Sequence, residues 1–282
     1  MNSLQDLDSA IDRWFREDIG EGDHTTLSTI PKGAVGSAML LVKEAGILAG
    51  LQVAERIFHR FDPDLELNIL KEDGAVISPG DVAFRIHGRA QSILQCERLV
   101  LNVMQRMSGI ATTTAAHVKL LEGTGTRVLD TRKTTPGMRF LEKEAVRLGG
   151  GVNHRFGLYD MIMIKDNHID FAGGIHQALS ATRAYLDERK LSLDIIVEAR
   201  SLKDIETILS VGGVRRILLD NFTVEETREA VRHIDGRVET ESSGGISRET
   251  IRAYAQCGVD YVSVGALTHQ IRSLDLSLKA DF

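Results

Sequence analysis

Cysteine is nearly absent: Cys96 and Cys257 are the only two in 282 residues, and each stands alone in its segment. Two isolated thiols supply neither a disulfide framework nor a paired metal motif, so a reducing cytoplasm is the expected setting. Long apolar runs are missing too. No stretch approaches the ~18 residues of a membrane helix, and the start of the chain mixes Asp6, Asp8, Asp12 and Glu17 into its apolar positions. Neither export nor membrane insertion is signalled. There is no basic surplus, since 34 Lys and Arg face 40 Asp and Glu for a formal charge of −6. Nucleic acid and anionic membrane are thereby disfavoured as main partners, because both need a basic face. Internal repeats, low-complexity tracts and long linkers are also lacking.

What is present is ordinary globular composition, 43% hydrophobic and 26% charged. At roughly 150 residues per domain, the length allows two domains or one barrel-sized domain with an appendage. Leu4, Leu7, Ile11, Trp14 and Phe15 recur at helical spacing and stop at Gly20, after which residues 20–26 read as a polar turn. Strands are expected at 38–42, 65–70 and 82–87, with a helix at 51–61. A long helical stretch follows over 92–121, with a break expected at Ser108-Gly109.

Beyond residue 126 the pattern changes. Short β-rich runs at 127–130, 161–165, 194–198, 216–220, 238–241 and 261–265 alternate with helix-length segments such as 172–190, 201–209, 224–234 and 248–256. That cadence means a parallel sheet. No dinucleotide fingerprint follows the first of these strands, and polar residues gather at many strand ends instead of at one crevice, which favours a barrel over an open doubly wound sheet. The expected organisation is a mixed α/β domain over 1–110 and an α/β barrel over 111–270, with residues 271–282 packing back onto the first domain.

The strand ends carry the polar chemistry. In order they are Asp130-Thr131-Arg132-Lys133, Lys165-Asp166-Asn167-His168, Glu198, Asp220-Asn221, Glu241-Ser242-Ser243-Gly244-Gly245 and Ser263-Val264-Gly265. Barrel enzymes hold their reactive groups on this rim, although any one of these residues by itself is as well explained as a solvated loop charge. Residues 131–165 hold seven Lys or Arg against three Asp or Glu, a local surplus of +4 inside an acidic chain. Arg132, Lys133, His154, Arg155 and Lys165 flank the strand ends, and such a set suits a ligand with carboxylates and phosphates. Arg139, Lys143 and Arg147 recur at i and i+4 and are expected to form a solvated helix face. Glu198 and Asp220, at neighbouring strand ends, could hold a hydrated magnesium ion or two sugar hydroxyls between them. Their basic surroundings would depress both carboxylates and spoil a glycosidase's general acid. Ser242-Ser243-Gly244-Gly245, with a helix expected directly after it, and Ser263-Val264-Gly265-Ala266 offer small residues and free N–H groups where barrels bind phosphate. Gly149-Gly150-Gly151 lacks the Gly-Lys-Ser/Thr ending of a P-loop, and is expected to bring backbone close to a ligand or a neighbour.

Together these segments resemble the quinolinate phosphoribosyltransferases, the decarboxylating nicotinate-nucleotide pyrophosphorylases of NAD biosynthesis, over nearly the whole chain. The resembling stretches are EDIGEGDHTT from Glu17, ERLVLNVMQRMSGIAT from Glu97, DTRKTTPGMRFLEKEAVRLGGGVNHR from Asp130, MIKDNHI from Met163, the Glu198 strand end, LLDNF from Leu218, ESSGGIS from Glu241 and SVGALTH from Ser263. The resemblance implies a sandwich-like mixed α/β first domain and an incomplete, TIM-like parallel α/β barrel of the type II phosphoribosyltransferase kind. It also implies a homodimer whose first domain covers the partner's barrel mouth, with a higher oligomer left open. By the same resemblance Arg98, contributed across the dimer, would join Arg132, Lys133, His154, Arg155 and Lys165 in binding the quinolinate carboxylates and a neighbouring phosphate. Glu198 and Asp220 would hold the ribose hydroxyls and the magnesium of phosphoribosyl pyrophosphate, the metal either directly or through water. Ser243, Gly244, Gly265 and His269 would surround the 5′-phosphate, and Lys133, Lys165, Glu198 and Asp220 would be the catalytic set.

Three other readings compete. One keeps the fold but changes the acceptor, to nicotinate or to the ligand of a relative associated with molybdate transport. Another makes Lys165 the nucleophile of a Schiff-base aldolase, since a strand-end lysine is where barrel enzymes keep it. The third is a non-catalytic anion sensor, for which no appended effector domain is visible.

Overall fold

The computed structural model describes residues 4–281, with side chains from residue 6 onward, so Leu4 of the opening apolar stripe lies outside the described side chains. The chain divides into two units: one gathers the residues up to 115, 134–150 and those from 267 on, the other 116–133 and 151–266.

In the first unit the opening helix, Leu4–Ile19, buries Ala10 and Ile11. Asp8 and Asp12, one turn apart, receive two-pronged hydrogen bonds from Arg56 and Arg60 on the helix Leu51–Phe61. The expected turn over 20–26 is half right. Gly20 and Gly22 do turn the chain at positive φ, but His24–Thr29 is a short helix because the Asp23 carboxylate caps it, accepting the Thr26 N–H at 3.0 Å. A four-stranded antiparallel sheet runs in the order Leu276–Ala280, Val35–Val42, Val82–Arg89, Glu66–Ile69. Period-two alternation buries Ala38, Leu40 and Val42 on one strand and Phe84 and Ile86 on the next. Phe84 meets Phe58 of the helix Leu51–Phe61 edge-on, with ring centroids 5.9 Å apart. Each such buried aromatic contributes about 1.5–3 kcal/mol of apolar burial.

The long helix, Ala90–Leu120, passes through Ser108-Gly109 without the expected break. Both residues serve packing instead. Ser108 Oγ accepts the Ala49 N–H at 2.9 Å and donates to its carbonyl at 3.2 Å, while a Cβ at Gly109 would overlap the Arg272 carbonyl oxygen. A glycine in mid-helix costs about 1 kcal/mol of helix propensity, and close backbone contact is what it gains here.

The second unit is built on six parallel strands in the order Arg127–Leu129, Tyr261–Ser263, Glu239–Ser243, Arg216–Asp220, Ile195–Ala199, Ile162–Ile164. The barrel is not closed: the first and last of these strands are not hydrogen-bonded to each other. Val152 runs parallel beside the first, donating to Val128 O at 2.9 Å and accepting from the Asp130 N–H at 3.1 Å. The register aligns Glu198 with Leu218, Glu241 with Leu218 and Tyr261, and Ser243 with Asp220. Alternation therefore sets Glu198, Leu218, Asp220, Glu241, Ser243 and Tyr261 on one face. The other face carries Val197, Ile217 and Leu219, all buried, and the helices Leu202–Val211 and Val224–Ile234 add buried Ile205, Ile208, Ala230 and Ile234 to the core.

Helix starts follow their caps. Thr223 and Glu226 form a reciprocal capping box, with the Thr223 N–H donating to Glu226 Oε2 at 2.8 Å and the Glu226 N–H donating to Thr223 Oγ1 at 3.2 Å. The helix expected over 172–190 is Ile175–Arg189; a short helix not expected from the sequence, Asp166–Ala172, precedes it, and Gly173 and Gly174 at φ of +88° and +132° separate the two.

Candidate active site

Glu198 closes in on the candidate site from the fully buried strand Ile195–Ala199. It is only 4% exposed, and both its oxygens are engaged: Lys165 Nζ lies 3.3 Å from Oε2, and the Asp166 N–H donates to Oε1 at 3.3 Å. Lys165 is the N-cap of the helix Asp166–Ala172, so the turn that starts that helix also delivers its ammonium group to Glu198. The lysine itself is half exposed.

Arg132 and Arg155 are drawn together by the loops that follow Arg127–Leu129 and Val152. Burial holds the Arg155 guanidinium below its ordinary pKa, and the positive charge of Arg132 adds to the effect; Asp160 opposes it. Two like charges brought close in partial burial mark a place that an anion would relieve. Arg155 is steadied by a hydrogen bond from its Nη1 to Met161 O at 3.1 Å. Arg132 and Lys133 are exposed, and the Lys133 N–H donates to Thr131 Oγ1 at 3.0 Å.

His154, next to Arg155, is buried. Its own N–H donates to Asp130 Oδ1 at 2.7 Å, and its ring Nδ1 accepts the Arg155 N–H at 2.7 Å, which leaves the ring proton on Nε2. Nε2 faces Glu241 Oε2 at 3.4 Å, long for a hydrogen bond but close enough for attraction. Glu241 is fully buried and takes Arg216 Nη1 at 3.0 Å; Arg216 in turn stacks over the Tyr261 ring, 3.8 Å from its centroid, and reaches Glu239. Burial pushes the Glu241 carboxyl up, but the contact with His154 and the Arg216 charge outweigh it and hold it below the usual carboxylate range. The sequence offers Glu241 only as one strand-end residue among several and does not offer Arg216. The signal was there, in polar residues on one face at 216 and 220, four apart, and at 239, 241 and 243, two apart, on strands that a parallel sheet buries on both faces.

At the next strand end Ser243 pairs in register with Asp220. Asp220 Oδ2 accepts from Asn221 Nδ2 at 2.7 Å, and Gly244 follows at φ +100°. No helix begins directly after Gly245; the next, Ile251–Ala255, starts six residues later, so any phosphate there would meet loop N–H groups. Gly265 is directly followed by the short helix Ala266–His269. Arg98 and His269 lie in the first unit with exposed side chains. Lys143 corrects an expectation: it is 2% exposed, within the helix Arg139–Leu148, and only Arg147, paired with Glu144, sits on a solvated face. Its neighbour Glu142 is also buried and receives Arg106 Nη2 at 2.6 Å and the Thr135 N–H at 3.2 Å, so this helix uses charges for internal ties. Gly149 resolves toward a neighbour, since a Cβ there would overlap the Ala111 carbonyl oxygen.

Among the described residues no three His, Cys, Asp or Glu side chains converge to cage a metal ion. Two carboxylates on adjacent strands, one already holding two donors, fit magnesium that keeps its waters and is bound chiefly by substrate phosphates. They do not fit a dehydrated, protein-bound ion.

The chain matches the model of the quinolinate phosphoribosyl transferase N-terminal domain over residues 23–108 and that of the C-terminal domain over residues 110–279. It belongs to the quinolinate phosphoribosyltransferase family. Among its relatives, a tobacco (Nicotiana tabacum) quinolinate phosphoribosyltransferase [decarboxylating] is 43% identical over 98% of this chain and 83% of its own length. A probable nicotinate-nucleotide pyrophosphorylase [carboxylating] of Bacillus subtilis is 40% identical over 99% of this chain and 94% of its own. The NadC structure from Streptococcus pyogenes superposes with a TM-score of 0.94 at 39% identity, covering 100% of this chain and 99% of that one. This quinolinate phosphoribosyltransferase-family chain thus carries both domains of the family.

Proposed function

We propose that this protein transfers the phosphoribosyl group of phosphoribosyl pyrophosphate to the ring nitrogen of quinolinate and releases the 2-carboxylate as CO2, yielding nicotinate mononucleotide and pyrophosphate. The "carboxylating" in some relatives' names describes the same reaction written in reverse. The observation that carries the reading is Arg155, which feels the positive charge of Arg132 and follows the buried His154, on the same unit as the Lys165–Glu198 pair. Two adjacent guanidinium groups call for an anion, and quinolinate offers two carboxylates. Nicotinate, with one, would satisfy them less well.

The chemistry follows from the charges. Pyrophosphate leaves the anomeric carbon as positive charge develops there, and the pyridine nitrogen attacks from the opposite face. Lys133 and Lys165 stabilise the departing anion, while Glu198 and Asp220 hold the ribose hydroxyls. Glu198 and Asp220 would hold magnesium, directly or through water, and when bound it would supply further charge neutralisation of the pyrophosphate. The positive charge on the quaternary nitrogen then stabilises the electron pair left on C2 when the C2–carboxylate bond breaks, and that pair takes up a proton from solvent as CO2 departs. A firm clamp on the 2-carboxylate would stabilise the ground state, so the arginines serve best at the carboxylate that stays. Lys165, half exposed and paired with Glu198, lacks the buried apolar setting of a Schiff-base aldolase's lysine.

The working unit is a homodimer in a reducing cytoplasm, with Arg98 reaching the partner's site. An inactive Arg98→Ala protein mixed with an inactive Arg132→Ala protein is expected to regain about a quarter of wild-type specific activity at full subunit exchange, because half the dimers carry one intact site. No recovery despite demonstrated exchange would place Arg98 in its own subunit's site or outside it.

A further inference from the structure

We infer that Asn221 is a positioning residue that locks the Asp220 carboxylate to the Ser243-Gly244 loop; the inference rests on the phosphoribosyl-binding reading of that rim. Four features of Asn221 converge. Its φ is +55°, one of three non-glycine residues in the left-handed region among those described. Its N–H donates to Ser243 O at 2.9 Å, carrying the parallel pairing one step past the end of both strands. Its side-chain Nδ2 donates to Asp220 Oδ2 at 2.7 Å. Finally, Gly244 is packed against it so tightly that a Cβ there would overlap Asn221 Oδ1 and lie 3.0 Å from the Asn221 backbone nitrogen.

Ordinary structural duties do not account for this arrangement. The next helix begins at Val224 and is capped by Thr223, so Asn221 caps nothing. The residue is exposed and buries no apolar surface. A left-handed residue at a strand end, where glycine would be easier, is the kind of local strain that collects at functional sites. Its effect is geometric. The amide fixes the plane of the Asp220 carboxylate and leaves the second oxygen to face a ligand, while the backbone bond and the Gly244 contact set the height of the neighbouring loop. A ribose phosphate must meet a hydroxyl-binding carboxylate at one end and phosphate-binding N–H groups at the other. Asn221 fixes the spacing between those two contacts.

Asn221→Gly keeps the positive φ and the backbone N–H and deletes only the amide. It is expected to melt within about 2 °C of wild type, as a surface change of this size does. Loss of one charge-assisted contact should raise KM for phosphoribosyl pyrophosphate or lower kcat by about tenfold or more, with KM for quinolinate unchanged. Asn221→Asp, which tolerates the same backbone but sets a second carboxylate beside Asp220, should lose more and shift magnesium activation to higher concentration. An Asn221→Gly protein with wild-type constants, or one whose two KM values rise together with a fall in melting temperature, overturns the positioning role while leaving the reaction intact. A wild-type protein inert toward phosphoribosyl pyrophosphate overturns it together with the reading beneath it.

Discussion

Replacing Arg132 with alanine is expected to lower kcat/KM for quinolinate by about 10²–10³-fold while the protein keeps its fold. A two-pronged guanidinium–carboxylate contact is worth about 3–4 kcal/mol, and each 1.4 kcal/mol is tenfold in rate. The side chain is exposed, so its removal opens no cavity. It also removes a like charge from beside Arg155, whose guanidinium pKa should move back toward its ordinary value. Stability should therefore hold or rise slightly. Arg132→Lys keeps the charge but not the fork and should recover only part of the loss. Steady-state kinetics with both substrates varied, alongside a melting curve, reads both effects; wild-type turnover in Arg132→Ala would remove this residue from the quinolinate site.

Glu241→Ala should act mainly on stability, costing about 3–5 kcal/mol, the range for breaking a buried ion pair by removing one partner. It leaves Arg216, 7% exposed at its side chain, with Glu239 as its remaining partner, and takes away the group facing His154 Nε2. Because Glu239 still lies 3.0 Å from Arg216, the lower part of that range is expected. Glu241→Gln, which keeps the shape, should cost less. The pH dependence has a definite sign. A carboxyl held below its ordinary value of 4.5 contributes stability that is present above that value and lost as pH falls through the depressed folded one. The gap in urea midpoint between wild type and Glu241→Gln should accordingly be full at pH 7 and shrink below about pH 4. A gap that does not change with pH would mean that the Glu241 charge contributes nothing.

The barrel strands and most of their helices were legible because each carries its own signal. Thr223 and Glu226 announce one helix, and Gly-rich or polar exits end the strands. Readings failed where a residue answers to tertiary contact instead of local preference. Gly109 reads as a helix breaker but accommodates the Arg272 carbonyl, and Lys143 reads as a surface charge but is buried. Nothing within a few residues of either reveals the distant partner. For the candidate site, counting charge brings forward the basic residues, and position at the strand ends brings forward Glu198 and Asp220. Asn221 was visible there too, but its role depends on the Gly244 backbone twenty-three residues away, brought alongside by the sheet register. The Arg216–Glu241–His154 chain likewise crosses three segments and could be assembled only in space.

The central claim is tested most directly by following CO2 released from quinolinate labelled in its 2-carboxylate, with and without phosphoribosyl pyrophosphate. Magnesium-dependent release is expected only when phosphoribosyl pyrophosphate is present, matched mole for mole by nicotinate mononucleotide and pyrophosphate. Release of CO2 without the phosphoribosyl donor, or none with it, would contradict the account.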